Sequence, residues 1–362
     1  MKLAAVTTNF GLGPVSKLLS ILEEISRRTT HKLTFIGSRQ SYNFLEHSFE
    51  NVIEFIEVDT DHIDRNAFFL IMSEFDLLIN VMNTHIQIYM DNQVIKSIFV
   101  DSLSWLWDKP ITGIENSEIY FVQNLFLDNV KINRIKNKYL VNPITYLTNE
   151  IQTMEDRNDE ILVNVAGIFT PNQNNYFDVE YIKYYINIFE GLKLNGINKI
   201  IFACNSNQLE ILSKISYSSQ IQLKTFGHNE FLIQAKKSYK VFSTAGLTFY
   251  TEAKQLGIDV FYLLPSNYSQ ALLLEKYVRT GSIGLNLERF SDVYAIKPNI
   301  LEEEGIEIVR ENVLEIMYKF KKNIIYEIEK YILKPIYFEK NRKNILNGSH
   351  QIVDKLLERN LI

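Results

Sequence analysis

The sequence predicts an α/β protein with two doubly wound parallel sheets, and three observations predict it. Short apolar runs alternate with amphipathic helical runs along most of the chain, which is the rhythm of parallel βαβ units. That rhythm stops at TNEIQTMEDRND, residues 148–159, and then begins afresh; a polar stretch without apolar periodicity marks a linker. The chain has 362 residues, 46% of them hydrophobic, more than one core usually organises.

In the first series LAAVTT reads as a strand, VSKLLSILEEISRR as a helix, KLTFIGS as a strand, SYNFLEHSF as a helix and VIEFIEV as a strand. FDLLINVM continues it as a strand, followed by a helix over HIQIYMDNQVIK and the strands SIFVDSL and IYFVQNLF. The second series alternates the strands ILVNVAG, KIIFACN, IQLKTFG, KVFSTAG and VFYLLP with the helices DVEYIKYYINIFEGLKLN, QLEILSKI, EFLIQAKKS and LTFYTEAKQLG. The expected domains are residues 1–148, residues 160–320, and a helical tail over 321–362 that packs back toward the first domain. The longest amphipathic run near the tail is NVLEIMYKFKKNIIYEIEKYI; Pro335 breaks it, because proline lacks an amide proton and clashes with the preceding turn.

Composition narrows the partners. A formal charge of −5, with lysines and arginines scattered, leaves no footprint for nucleic acid or anionic lipid. The single cysteine, Cys204, cannot form an internal disulfide, and there is no CxxC or Cys/His cluster, so the expected location is the reducing cytoplasm and no zinc is implied. The opening run MKLAAVTT is too brief for a signal sequence, and no apolar run approaches the roughly 18 residues of a membrane span. HExxH spacing is absent, so no metal is expected; the GxSxG elbow is absent too, which removes the serine hydrolases.

Parallel sheets bind ligands at the carboxyl ends of their strands, and two such domains facing each other make the cleft between them the default site. The first βα turn, TTNFGLGPVSKLLSIL, contains Asn9, Gly11 and Gly13 before a helix start that Pro14 suits. It reads as a ligand turn, as a tight packing turn, or as a dinucleotide fingerprint. The fingerprint lacks its third glycine, where Ser16 stands, and the pair Val58 and Asp59 matches the expected acidic ribose ligand poorly.

Two turns in the second series are rich in small residues. One carries Gly167 and Thr170 in NVAGIFTPNQN; the other carries Ser243, Thr244, Gly246 and Thr248 in FSTAGLT. Backbone amides, hydroxyls and a helix dipole together suit a nucleotide diphosphate without a lysine. Glu252 follows six residues after Gly246. A carboxylate there can accept two donors from a ribose diol, or it is an ordinary solvated helix glutamate.

The segment STAGLTFYTEAKQLGIDVFYLLPSNYSQ resembles the nucleotide-sugar-binding segment of GT-B glycosyltransferases, among them the N-acetylglucosaminyltransferase that completes the lipid-linked peptidoglycan precursor. The resemblance implies a GT-B fold with two Rossmann-like domains facing across a cleft. It implies a diphosphate held at Gly246, Leu247 and Thr248, a ribose held by Glu252, and a donor sugar held by Gln270. NFGLGPVSKLLSIL and FVDSLSWLWDKP further resemble bacterial enzymes similar to cytosylglucuronate and hydroxymethylcytosylglucuronate synthases of peptidyl-nucleoside antibiotic pathways. That narrower resemblance implies UDP-glucuronate as donor and a pyrimidine base as acceptor. A UDP-sugar is then a co-substrate, no cofactor is needed, and the protein is a monomer or homodimer.

Many GT-B enzymes place a histidine just after the first glycine turn; here Ser16 and Lys17 stand there. Asp101 follows the strand SIFV and reads equally as catalytic base or as a turn cap, with Asp101, Ser16 and His85 the catalytic candidates. Trp105 and Trp107 read as an aromatic wall for a planar acceptor or as core. His228 reads as a contact to base or phosphate, or as a helix cap; His85 sits near a helix start facing the predicted cleft, and His31 lies at the wrong strand end. The expected reaction is an inverting, metal-independent displacement. Its rivals are a nucleotide-sugar 2-epimerase of the same fold and a non-catalytic domain pair that binds a partner protein.

Overall fold

The computed structural model describes the 362-residue chain apart from residues 10–11, 50, 52, 93–94, 107–110, 127–134, 149–150, 152–156, 169–175, 193, 195, 297–299, 301 and 336–345 and the side chains of residues 47, 91, 92 and 303. It divides into two compact units, Met1–Tyr146 with Asn344–Ile362, and Leu147–Lys343.

In the first unit, β1 (Lys2–Thr7), β2 (Lys32–Gly37), β3 (Glu54–Glu57), β4 (Leu77–Val81), β5 (Lys96–Asp101), β6 (Ile119–Gln123) and β7 (Lys138–Val141) form one sheet. The order is β3-β2-β1-β4-β5-β6-β7, with every pair parallel. Helices α1 (Gly13–Arg28), α2 (Arg39–Ser48), α3 (Arg65–Met72) and α4 (Thr84–Ile88) lie among the strands. β4, LLINV, is buried at every position because helices cover both faces of a parallel sheet, so its side chains alternate between two cores instead of between core and water. Leu3 and Ala5 enter one core with Val15, Leu18, Leu22 and Ile25 of α1, and Ala4 and Val6 enter the other with Phe68 and Met72 of α3. The helix expected over HIQIYMDNQVIK ends early: α4 gives way to a 3₁₀ turn over Tyr89–Asn92.

The second unit runs β8 (Glu160–Asn164), α5 (Tyr176–Gly191), β9 (Lys199–Ala203), α6 (Ser206–Leu212), β10 (Ile221–Lys224), α7 (His228–Lys237), β11 (Lys240–Ser243), α8 (Leu247–Leu256), β12 (Val260–Tyr262), α9 (Tyr268–Arg279), β13 (Ile283–Gly284), α10 (Glu302–Lys319) and α11 (Lys321–Leu333). Its sheet is parallel in the order β10-β9-β8-β11-β12-β13. Aromatic edges fill its core: Phe242 packs on Phe189 at 5.0 Å, on Phe261 at 5.5 Å and on Tyr331 at 5.2 Å. The single run expected to end at Pro335 is instead two helices. It divides at Phe320, whose ring packs against Phe290 at 5.2 Å.

The tail from residue 321 is shared between the units. α11 stays with the second, where the Tyr331 hydroxyl donates to the Asp259 carbonyl at 2.9 Å. The last helix, α12 (Gly348–Glu358), belongs to the first and buries Ile352, Val353 and Leu356 in the core beneath α1. Its start is a close fit. Ser20 Oγ donates to the Thr145 carbonyl at 2.8 Å and lies 3.0 Å from Ser349 Oγ, and a Cβ on Gly348 would stand 2.1 Å from the Asn142 carbonyl oxygen. Backbone cannot swing aside as a side chain can, so Gly348→Ala is expected to cost about 1–3 kcal/mol, read as a lower urea midpoint at unchanged slope.

Candidate functional site

A doubly wound sheet has one place where successive connections depart in opposite directions, and the turns there diverge. In the second unit this is the boundary between β8 and β11, since β8 is flanked by β9 on its other side and β11 by β12. The turn after β8 carries Gly167, exposed within the 3₁₀ turn Ala166–Ile168. The turn after β11 carries Thr244, Ala245 and Gly246 into α8. Asn164 Nδ2 donates to Ser243 Oγ at 3.1 Å, and Ser243 Oγ donates to the Thr244 carbonyl at 2.9 Å, so that hydroxyl ties the two strand ends together. Thr244 is buried beside it; Gly246 and Thr248 are partly exposed.

Gly246 has φ −82° and ψ 132°, which any residue adopts, and a Cβ there or on Gly167 would meet no atom within 4 Å. Neither local strain nor packing within the described residues therefore requires glycine, and no described atom fills the space before either turn. α6 is capped by Asn205 and α9 by Asn267, whereas α8 starts at Gly246 with no side-chain cap. The first-turn amides of such a helix lack intrahelical acceptors and carry the positive end of the helix dipole.

Glu252 lies in α8 with 1% of its surface exposed. Its Oε1 stands 3.0 Å from His228 Nε2, at the start of α7. Close as the two atoms are, Oε1 takes no hydrogen-bond donor, and the contact is an ion pair only when the ring is protonated. Phe231 and Phe249, with centroids 5.0 Å apart, hold the starts of α7 and α8 side by side. A buried carboxyl oxygen without a donor is costly.

Gln270 sits at the start of α9 after β12. Its Oε1 accepts from the Ser266 amide at 3.0 Å and hydroxyl at 3.1 Å, and its Nε2 donates to the Gly167 carbonyl at 3.4 Å. Arg310 of α10 reinforces the same turns by donating to the carbonyls of Ser266 at 3.3 Å and Ile168 at 3.4 Å, and to Asp178 at 3.2 Å. Burial lowers the Arg310 pKa and pushes the Asp178 carboxyl up to about 6, against the pull of the guanidinium.

The first unit has its switch between β1 and β4. There Asn83 Nδ2 lies 3.1 Å from Thr60 Oγ1 and 3.1 Å from Asp61 Oδ1, while Asn83 Oδ1 caps α4 through the Ile86 amide at 2.9 Å. The Asn9 amide donates to Asp61 Oδ2 at 3.2 Å. Met82 ends β4 with φ 66°, a left-handed conformation uncommon outside glycine, and its Sδ accepts from the Ser102 amide at 3.1 Å.

The remaining candidates are placed as follows. Asp101 is fully buried and accepts from the Tyr120 hydroxyl and the Leu103 amide, both at 2.6 Å, which is the turn-cap geometry. Trp105 is buried, edge-on to Phe126. His85 Nε2 lies 3.0 Å from the Ile63 carbonyl and 2.9 Å from the Tyr89 hydroxyl. Ser16 is buried near the start of α1, which begins at Gly13. Gly11, Trp107 and Thr170 lie outside the described residues. The structure thus brings together Gly167, Gly246 and Gln270 with the Glu252–His228 pair in one unit's switch region, and Asn9 with Asp61 and Asn83 in the other's. Sequence reasoning missed Asp61, although the triplet DTD at 59–61 directly after a strand is a signal for it; Arg310, in a tail helix, has none.

No protein-family model matches the sequence, and no curated protein matches it. Solved structures do. The glycotransferase of kitacinnamycin is 12% identical over 99% of this chain and 98% of that chain, with a TM-score of 0.57. S. aureus MnaA with UDP is 12% identical over 99% and 96%, at 0.58. UDP-N-acetylglucosamine 2-epimerase from Rickettsia bellii is 12% identical over 90% and 98%, at 0.54. At such identities the likeness is one of fold, and it shows that this chain has the GT-B fold of two doubly wound units.

Two outcomes follow from the site. Gly246→Ala is expected to leave the melting midpoint unchanged, because the methyl meets nothing, yet to weaken any ligand seated on that turn by about tenfold or more, measured by calorimetry. Asp178 has its folded pKa raised above its unfolded value, so it contributes stability below about pH 4 that is lost as pH rises through about 6. Urea unfolding at pH 4.5 and pH 7 is expected to show that loss in the wild type and not in Asp178→Asn.

Proposed function

We propose that the protein transfers a sugar from a UDP-sugar to a small-molecule acceptor, with the donor held by the second unit. The observation that carries this reading is the buried Glu252 carboxylate, whose Oε1 lacks a hydrogen-bond donor beside an uncapped helix start and two glycine turns that no described atom fills. A ribose diol supplies two donors to such a carboxylate. The diphosphate, seated on the turn amides of Gly246, Leu247 and Thr248, has its developing negative charge stabilised by those amides and the helix dipole as the anomeric bond breaks. The reading needs no metal ion for that purpose. Among the described residues no group of three His, Cys, Asp or Glu side chains is arranged to hold one.

Ser243 is spent on the strand ends, so the hydroxyl assigned to the phosphates is that of Thr248. Gln270 and Gly167, joined by their hydrogen bond, border the donor sugar. Direct displacement at the anomeric carbon inverts its configuration. The solved relatives described above include a named glycotransferase and a UDP complex, which supports the class. UDP-glucuronate and a pyrimidine acceptor are the narrowest form of the proposal.

The test is a thermal-shift and calorimetric panel of UDP, UDP-glucose, UDP-N-acetylglucosamine and UDP-glucuronate. A ligand at 100 times its Kd raises stability by about 2.7 kcal/mol. Glu252→Gln, which loses charge-assisted hydrogen bonds, is expected to weaken UDP by roughly 10- to 100-fold while leaving the fold intact. If none of the four binds the wild type, the reading is wrong; conversion of a sugar nucleotide to its isomer without any acceptor would instead mark an epimerase.

A further inference from the structure

A carboxylate accepts two donors from a diol only while it is ionised and turned toward them, and burial opposes the charge of any carboxyl group. Some neighbour has to favour the ionised form and fix its direction. In Glu252 the oxygen shut from water is Oε1, which takes no hydrogen-bond donor among the described residues. His228 Nε2 stands 3.0 Å from that oxygen, with the two side chains 9% and 2% exposed. The approach is set by two helix faces. His228 opens α7 and Phe231 follows three residues on; Phe249 and Glu252 repeat that spacing along α8. Residues three apart lie on one face of a helix. Phe231 packs on Phe249 at 5.0 Å, so the aromatic pair fixes the distance at which ring and carboxylate meet. Glu230, the acidic residue in the first turn of α7, turns back to its own backbone, where its Oε2 accepts from the Gly227 amide at 3.2 Å.

We infer that His228 is a positioning residue for nucleotide binding: its Nε2 edge covers Glu252 Oε1 and holds the carboxylate so that its other oxygen meets the ribose diol. The inference rests on the transferase reading and adds the residue that makes the site select a nucleotide with both ribose hydroxyls. In this role His228 acts through Glu252 and does not touch the nucleotide. An imidazolium lends a carboxylate a positive charge, and a neutral imidazole N–H lends it a dipole of the same sense.

A ring that merely filled space between α7 and α8 would serve every nucleotide alike. A ring that orients Glu252 serves only a ligand with hydroxyls for the carboxylate to grip. Removing the ring nitrogen therefore separates the two roles when UDP is compared with a UDP that lacks those hydroxyls.

The experiment titrates the full chain with UDP and with 2′,3′-dideoxy-UDP by calorimetry, as wild type, His228→Phe, His228→Gln, Glu252→Gln and the double variant of His228→Phe with Glu252→Gln; melting midpoints are recorded for each. Wild type is expected to bind UDP about tenfold or more tighter than the dideoxy nucleotide. His228→Phe keeps a ring without the nitrogen and is expected to lose about tenfold in UDP affinity, with dideoxy-UDP affinity changed by less than about twofold. His228→Gln, whose amide nitrogen reaches close to the place of Nε2, is expected to recover most of that loss. Once Glu252→Gln is present, adding His228→Phe is expected to change UDP affinity by less than about twofold, because coupled residues are not additive. Should His228→Phe fail to fold, His228→Asn takes its place: asparagine suits a helix start and its amide is too short to reach Oε1. Equal losses for both nucleotides, no recovery in His228→Gln, an undiminished loss beside Glu252→Gln, or a wild type that binds both nucleotides equally, each overturns the inference while the transferase reading stands. Absence of UDP binding by the wild type removes the reading itself.

Discussion

Parallel strands wound in both directions from the middle of a sheet impose one constraint on which the rest of this molecule depends: two adjacent strand ends must send their chains apart. In each unit that divergence falls between a first strand and the strand on its far side, β1 and β4 in one and β8 and β11 in the other. Diverging turns expose backbone that a continuous packing face would bury, and the helices that follow begin there with unpaired amides. The features that can do chemistry collect at these places.

The two switch regions are furnished differently. In the second unit the polar atoms that could face a ligand are partly withdrawn: Ser243 bridges strands, and Gln270 with Arg310 braces the turns after β8 and β12 through their carbonyl oxygens. What remains among the described residues is space at Gly167 and Gly246, an uncapped helix and the Glu252 carboxylate, the features on which the proposed nucleotide-sugar site rests. In the first unit an asparagine network organises the turn ends, from Asn80 and Asn83 through Thr60 to Asp61. Neutral amides serve that purpose because each supplies donors and an acceptor together, whereas buried charges would need partners of their own.

Much of the architecture was legible because both kinds of element leave a period in the sequence. The buried strands LAAVT and LLINV read as continuous apolar runs, and α1 carries its apolar side chains at helical spacing. Three features left no such trace. A periodic pattern encodes neither the early end of α4 nor the break at Phe320, where the ring packs on Phe290. The return of α12 to the first unit, separate from α11, depends on the fit of Gly348 against the Asn142 carbonyl, a contact between residues far apart in the chain.

For the site, the sequence by itself determined the turn chemistry: small residues at Gly167 and at 243–248, and a glutamate at a fixed offset along the following helix. Those are local matters, set by backbone freedom and by helical geometry. Tertiary structure alone decided which polar groups are spent and which remain. It paired His228 with Glu252, turned Ser243 inward, set Asp101 on the Tyr120 hydroxyl and the Leu103 amide, and joined Asp61 to Asn9 and Asn83. The physical reason is that a hydrogen-bonding group has a limited number of partners, and only the folded chain determines how many of them come from the protein.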